Sequence, residues 1–580
     1  MPLALAILAT PGPVLAQGVD DTGGAPVPTA TGSGLPQGIV PGGTVGSRDP
    51  FGQAPVRTST FFDLPFDAPV APAADTQPRR AYEFFPSIGG QIYATDNVFP
   101  GSRNSRADIV TSIQPEIRAT ADTLRLQGSL SYAPSLRFYA SGQDETRVDH
   151  RLNTNAIVSV IPGSLFLDLR GNARVVPVNG GFAETDSTNI RRNDRSQTVS
   201  FAASPYYLQR FGSVANAIVG YTYQYSRQGG ASGTLDPDNA TVTNSTAFFR
   251  PQDFSSHTGF AAVRTGEAFG RVALEARVSG TEYEGTGVLD GAHRAIGVVE
   301  GRYAFSRGII GIAEVGYEDQ EYGGTNPLSI SEPVWGAGVR LEPNADSSIT
   351  VRVRRRDGFT APQAEFRWAF GANLLLTGTY ADRLGTVGQR DADLLATTAV
   401  DADGQPYDVR TGGPSRAFAS ESLLALQSGL FRNRIGNATL AYFLPRDTLS
   451  LSFGYQERIP VSAVTGTTIF RQESTSIALG WSRSLSEATS LLSSISYGRI
   501  NTGAPRSLTG TGSLNSLITS QSSNAYTFRV TLAHRFNQNL AGSVQYLITN
   551  RQTEFSDVFS RRGTSDSVQN AVIVSVRQAL

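Results

Sequence analysis

The chain has 580 residues, 39% of them hydrophobic and 17% charged, with a formal net charge of −1 and no cysteine. The balanced charge gives no electrostatic case for nucleic acid, and the missing cysteine removes disulfides, thiolate metal sites and a lipid-anchor cysteine. Mean hydropathy is −0.18, and no run approaches the ~20 apolar residues of a spanning helix; a barrel, whose strands alternate apolar and polar positions, is not excluded.

Residues 1–16 read as an export signal. Leu3-Ala4-Leu5-Ala6-Ile7-Leu8-Ala9 is an apolar core too short to span, and Val14-Leu15-Ala16 before Gln17 partly matches a small-residue cleavage site, without the usual basic start. Residues 17–80 are rich in Pro, Gly, Ala and Thr. Such a segment cannot bury enough surface to offset its chain entropy, so a disordered periplasmic leader is expected.

From 81 to 580 the pattern is period two. Ile109, Thr111, Ile113, Pro115, Ile117 and Ala119 oppose Asp108, Ser112, Gln114, Glu116 and Arg118. Leu124, Leu126, Gly128, Leu130, Tyr132, Pro134, Leu136, Phe138 and Ala140 share the next apolar face, against Arg125, Gln127, Ser129, Ser131, Ser135 and Arg137. Leu165, Leu167, Leu169, Ala173 and Val175 oppose Asp168, Arg170, Asn172 and Arg174. The same alternation recurs at Leu449–Tyr455 and at Tyr526–Phe536, and it predicts strands. The longer runs exceed the ~5–6 residues of an average soluble strand and reach the ~9–11 that a tilted membrane-crossing strand needs.

Connections alternate short and long. Ala121-Asp122-Thr123, Pro162-Gly163, Gln209-Arg210-Phe211, Asn344-Ala345-Asp346, Pro445-Arg446-Asp447 and Asn537-Gln538-Asn539 read as tight turns. Residues 96–106, 177–195, 227–254, 318–332, 384–434 and 500–522 read as long loops. Short turns on the periplasmic side and long loops outside are the pattern of an outer-membrane barrel. A closed antiparallel sheet with both termini periplasmic needs an even strand count. Reading Gly371-Ala372-Asn373 as a turn between Ala364–Phe370 and Leu374–Leu384 supplies it. The expectation is therefore an all-β, transmembrane, antiparallel up-and-down barrel of about 22 strands. Its last strand, Asn570–Leu580, ends on Leu580 rather than on the aromatic residue that barrel-assembly machinery recognises.

Chemistry is sparse. His150, His257, His293 and His534 stand singly and no Gly-x-Ser-x-Gly elbow occurs, so catalytic, cofactor and metal residues are all expected to be absent and the chain is read as no enzyme. Arg125, Arg137, Arg170, Arg174, Arg352, Arg354 and Arg529 fall on predicted lumen faces, where arginines either bias a pore toward anions or join salt-bridge networks with neighbours such as Glu116 and Asp168. Val351-Arg352-Val353-Arg354-Arg355-Arg356 alternates like a strand, not like a nucleic-acid patch. Tyr139, Tyr206, Tyr207, Tyr225, Tyr317 and Trp368 lie near strand ends as candidates for interfacial girdles. In the 384–434 loop, Ser420–Phe431 reads as a short helix, and the loop as the best candidate for an inward-folded obstruction.

The first hairpin carries Pro86-Ser87-Ile88, Thr95-Asp96-Asn97-Val98, Asp108-Ile109-Val110 and Ile113-Gln114-Pro115-Glu116-Ile117. This resembles the outer-membrane β-barrel porins encoded beside exopolysaccharide genes, and within them the group associated with the PEP-CTERM/exosortase system. The resemblance runs from about Phe84 to the C-terminus. It implies an outer-membrane location and a part in moving or anchoring surface polysaccharide, and it carries over no catalytic residue. The expected function is a porin-like channel or an exopolysaccharide export component. Its partners would be outer-membrane lipid, the barrel-assembly machinery, and polysaccharide or export-complex proteins. The alternatives are a surface barrel whose loops bind polysaccharide or a partner and, further off, a lipid-modifying barrel enzyme.

Overall fold

The computed structural model describes residues 81–98, 106–141, 148–177, 195–229, 252–344, 347–371, 373–389, 398–400, 406–408, 424, 427–464, 467, 469–503, 518–557 and 562–580. The export signal and leader expected over 1–80 lie outside the described residues.

The chain forms a closed antiparallel barrel of 22 strands. The first seven are β1 Tyr82–Thr95, β2 Asp108–Asp122, β3 Leu126–Tyr132 resuming at Ser135–Tyr139, β4 Val148–Asp149 resuming at Leu152–Ile161, β5 Leu165–Pro177, β6 Arg195–Phe211 and β7 Ala215–Gln228. Then come β8 Phe254–Thr265, β9 Val272–Gly285, β10 His293–Ser306, β11 Ile309–Tyr322, β12 Leu328–Asn344, β13 Ser347–Arg356, β14 Phe359–Phe370 and β15 Leu374–Gly385. The wall finishes with β16 Gly429–Phe443, β17 Asp447–Ala463, β18 Gln472–Ser484, β19 Thr489–Thr502, β20 Ile518–Arg535, β21 Leu540–Asp557 and β22 Arg562–Ala579.

Each strand pairs with its sequence neighbour, and β22 closes on β1 from Ser87↔Ala579 to Thr95↔Ala571. The turn at Gly371 separates β14 from β15, as the parity argument requires. Closure leaves the barrel wall itself without an edge strand to template aggregation.

The two faces of the wall follow the alternation. Ile109, Ile113 and Ile117 are exposed on the outside of β2, and Val572, Val574 and Val576 on the outside of β22. Ser112, Glu116 and Gln91 are buried on the inside. Hydroxyl ladders stitch inward positions across neighbouring strands, as at Ser204–Thr222 (2.9 Å), Thr258–Thr281 (2.9 Å) and Ser523–Thr553 (2.8 Å).

The expectations need correction at several points. Leu124 is 96% exposed in a turn, and the long run it was read into breaks at Ala133-Pro134, because proline has no N–H to give the ladder. Residues Gly429–Phe431, read as the end of a helix, begin β16. Here the ladder to β17 wins over local helix pattern, with Gly429 opposite Ala463 and Phe431 opposite Pro460. The rest of that reading lies mainly outside the described residues. The 318–332 loop shrinks to five residues, since β11 runs to Tyr322 and β12 starts at Leu328. The last strand starts at Arg562, eight residues before Asn570.

Tyr206 and Tyr139 are buried, not girdle residues. Tyr206 stacks on Phe166 with centroids 5.3 Å apart, inside a cluster with Leu208, Ile218 and Phe260. The inward face is therefore apolar in places, where large side chains pack on one another instead of meeting water.

The first-hairpin motif has a structural role at the closing seam. Asp96 accepts hydrogen bonds from the Asn570 backbone N–H (2.8 Å) and side-chain amide (2.7 Å). Thr95 donates to the Asn570 carbonyl (2.9 Å), and the Asn97 amide donates to the Val568 carbonyl (3.2 Å). Gln569 reaches back to the Tyr93 hydroxyl (2.9 Å) and the Asn97 carbonyl (2.6 Å). Glu116 forms an ion pair with Arg577 of the last strand. Thr95-Asp96-Asn97 and Pro115-Glu116-Ile117 thus form part of a clasp that joins the first hairpin to the last strand.

Candidate lumen site

The densest group of ionisable side chains lies on the inward face of β9–β13. Alternation along β13 buries Arg352, Arg354 and Arg356, while Val351 and Val353 stay exposed outside. Space for the first two comes from the facing strand. A Cβ on Gly336 would sit 2.9 Å from the Arg354 Cβ, and one on Gly338 would sit 2.6 Å from the Val351 carbonyl oxygen. Side chains at either position would push the arginines out of register.

Glu300, on β10, is the hub. It accepts from Arg302 Nε at 2.6 Å and from Arg352 Nη1 at 2.8 Å. Arg277 stands 3.4 Å from Glu275, 3.6 Å from Glu314 and 4.0 Å from Glu300. Arg302 adds a 3.7 Å contact to Glu275, and Arg354 Nη1 reaches Glu314 only at 4.0 Å. Four guanidinium groups here face three carboxylates, so the group carries an excess of positive charge.

The β13–β14 turn leans into the same space. Asp357 and Gly358 have φ of 58° and 80°, which suits a two-residue hairpin turn in which both central residues are left-handed. Asp357 is buried and accepts from Arg294 Nη2 (2.9 Å), from the Gln320 amide (3.1 Å) and from the Leu384 N–H (3.4 Å). Burial opposes its ionisation, but the guanidinium groups of Arg294, Arg356 and Arg383 hold its carboxyl well below the usual carboxylate range. A depressed folded pKa contributes stability above the ordinary aspartate value, and that stability is lost as pH falls through the folded value. The wild type is therefore expected to lose more heat resistance between pH 5 and pH 2 than Asp357→Asn, read as the temperature at which the folded band disappears on unheated-versus-heated gels. Equal losses would remove this role for Asp357.

Above the ion network, connections at the loop end fold across the mouth. Gly287–Leu289 forms a single 3-10 turn between β9 and β10. Val288 and Leu289 are fully buried against Phe254, Tyr322, Ile330, Leu384 and Leu430, which come from β8, β11, β12, β15 and β16. The β11–β12 connection reaches β17, with Thr325 N–H donating to the Ala463 carbonyl (2.9 Å) and Ser462 Oγ donating to the Gly323 carbonyl (3.0 Å). Strands β12 and β17 are five apart around the wall, about 24 Å at the usual strand spacing, so these bonds cross the opening. A turn after β15 also reaches β8, where a Cβ on Gly388 would lie 3.0 Å from a Phe254 ring carbon.

The arginines expected on the lumen face divide. Arg137 pairs with Asp149 at 3.0 Å, both buried, and Arg170 pairs with Asp168 at 2.9 Å. Arg174 shares the buried-side register of Asp168 and Asn172 on β5, and Arg529 is buried on β20. Only Arg352 and Arg354 of the seven enter the network just described. Arg125 sits exposed in the Thr123–Leu126 turn, ahead of β3, and so is off the wall. Sequence reasoning missed Arg277, Arg294, Arg302, Arg356 and Arg383, although the alternation of β13 could have supplied Arg356.

Each histidine has its own local partner. His150 meets the Tyr132 hydroxyl, His257 that of Tyr221, His293 meets Asp319, and His534 meets Thr489. Among the described residues no three His, Asp or Glu gather as a metal site.

No family model matches the chain, and no curated protein does. Solved structures align with it at low similarity. The ferric-catecholate import receptor Fiu from E. coli K12, closed form, is 10% identical over 85% of this chain and 81% of that one, with a TM-score of 0.42. The siderophore receptor PirA from Acinetobacter baumannii is 7% identical over 86% and 80%, with a TM-score of 0.43. The FrpB iron transporter from Neisseria meningitidis, F3-3 variant, is 10% identical over 85% and 81%, with a TM-score of 0.42. Likenesses this distant carry no argument about ligand or partner.

Proposed function

We propose that this chain is an outer-membrane channel for hydrophilic solutes, with its turn end in the periplasm and its loop end outside, and that exopolysaccharide is the cargo. The observation that carries the channel reading is the wall itself. An apolar outer face backs an inner face of hydroxyl, amide and ion-pair ladders, which is the arrangement that lets water and polyhydroxylated solutes replace lipid contacts. The cargo rests on the resemblance of the first hairpin to porins encoded beside exopolysaccharide genes. The loops folded across the mouth imply a channel of low resting conductance.

The test is single-channel recording of the purified protein in planar bilayers. The wild type is expected to show small, flickering steps. Val288→Ser with Leu289→Ser keeps the loop length and removes the two buried anchors, so step size should at least double. A silent wild type together with a silent double variant would end the channel reading and favour a barrel that serves only as an anchor for its outer loops.

A further inference from the structure

One place beside the lumen network gathers more guanidinium groups than the carboxylates facing them, Asp357, Glu314 and Glu318, can each pair directly. A small cavity of about 10 Å³ is lined by Arg354, Arg356, Arg383, Gln363, Asp357 and Asp382. Its two carboxylates are already engaged: Asp357 accepts from Arg294 at 2.9 Å, and Asp382 pairs with Arg432 at 2.7 Å and Arg434 at 3.1 Å. Arg354 and Arg356 are 5% and 6% exposed. Arg354 Nη1 and Nη2 and Arg356 Nε are buried without a hydrogen-bond partner. Donors of this kind are costly to leave unmade, the more so when charged.

We propose that this cavity binds the carboxylate of an acidic sugar, so that the barrel recognises uronate-bearing saccharide. The class of ligand follows from charge, size and setting. Room for about one water admits one carboxylate oxygen, while the sugar ring stays outside the cavity, beside the Gln363 amide that lines it. A phosphate presents an oxygen of the same size, and the titration below separates the two anions. Guanidinium N–H groups hold a carboxylate oxygen by charge-assisted hydrogen bonds. The inference deepens the exopolysaccharide reading, since it names the sugar chemistry that the channel would select.

The test is calorimetric titration of the full chain in detergent with sodium glucuronate, glucose and inorganic phosphate. Glucuronate is expected to bind about tenfold more tightly than glucose, the ratio of one charge-assisted hydrogen bond. Arg354→Gln with Arg356→Gln should erase that preference, while Arg529→Gln, outside the cavity, keeps it. Equal binding of glucose and glucuronate, phosphate binding in place of glucuronate, or an unchanged double variant would overturn the proposal. Heat-modifiable mobility reports folding of each variant. Should the double variant fail to fold, salt titration of the wild type decides: glucuronate affinity must fall with added salt, and salt-independent binding counts against the site. Conductance measured without glucuronate keeps failure of this site separate from failure of the channel reading.

Discussion

Glu300→Leu is expected to destabilise the barrel by about 3–5 kcal/mol, the cost of removing one partner from a buried ion pair. Glu300 is 1% exposed and holds Arg302 at 2.6 Å and Arg352 at 2.8 Å. Leucine fills a similar volume, so little of the loss would come from a cavity. What remains is two guanidinium groups in the wall with their nearest carboxylate gone. Arg302 keeps a 3.7 Å contact to Glu275, which cannot replace a direct bond. Glu300→Gln retains an acceptor oxygen and should lose less. The measurement is the temperature at which the folded, fast-migrating band converts to the unfolded one. Leucine and glutamine variants that melt with the wild type would show that the network is solvated and adds nothing.

The second large effect is expected at the seam. Asp96→Ala together with Gln569→Leu removes four hydrogen bonds between the first hairpin and the last strand. At a net ~0.5–1.5 kcal/mol each, the pair should cost about 2–6 kcal/mol. It acts at the closing seam, which no turn joins and where the nine backbone pairs from Ser87↔Ala579 to Thr95↔Ala571 are the main remaining contact. Folding yield into detergent micelles should drop more than it does for Ser204→Ala with Thr222→Ala, which removes one hydroxyl bond between strands that a turn already joins. If the seam variant folds in the same yield as that control, the clasp is ornamental.

Most of the wall was legible from the residues, and the mouth was not. Side-chain alternation told inside from outside along β2, β5 and β13, because a strand has only two faces and lipid accepts only one kind of residue on its side. Parity then placed the turn at Gly371 without any structural information. Alternation is silent about what crosses the lumen. Gly287-Val288-Leu289 belongs to a connection outside the alternation, and its burial depends on Phe254 and Leu430, which are distant in sequence and share no period with it. The same limit hid Arg294 and Arg383, which approach Asp357 from other strands. Proline at 134 was visible, but a local break is easily read through when eight neighbours keep the rhythm. Tyr206 follows the alternation, but nearness to a strand end does not separate a packed lumen position from an interfacial one.

The clasp also bears on the order in which the molecule can form. Thr95 and the Asn570 carbonyl that it meets are 475 residues apart. Joining chain ends across such a span costs about 5 kcal/mol in closure entropy, more than any neighbouring pair of strands requires. Every other pairing in the wall is local, so strands can be added one hairpin at a time while this single contact waits. The first hairpin must therefore stay unpaired on one side until β22 arrives, and Asp96, Asn97 and Glu116 mark it as the acceptor for that strand. A sequence signature at this position describes how a barrel is completed. Proteins that share it would share their final assembly step, whatever passes through them.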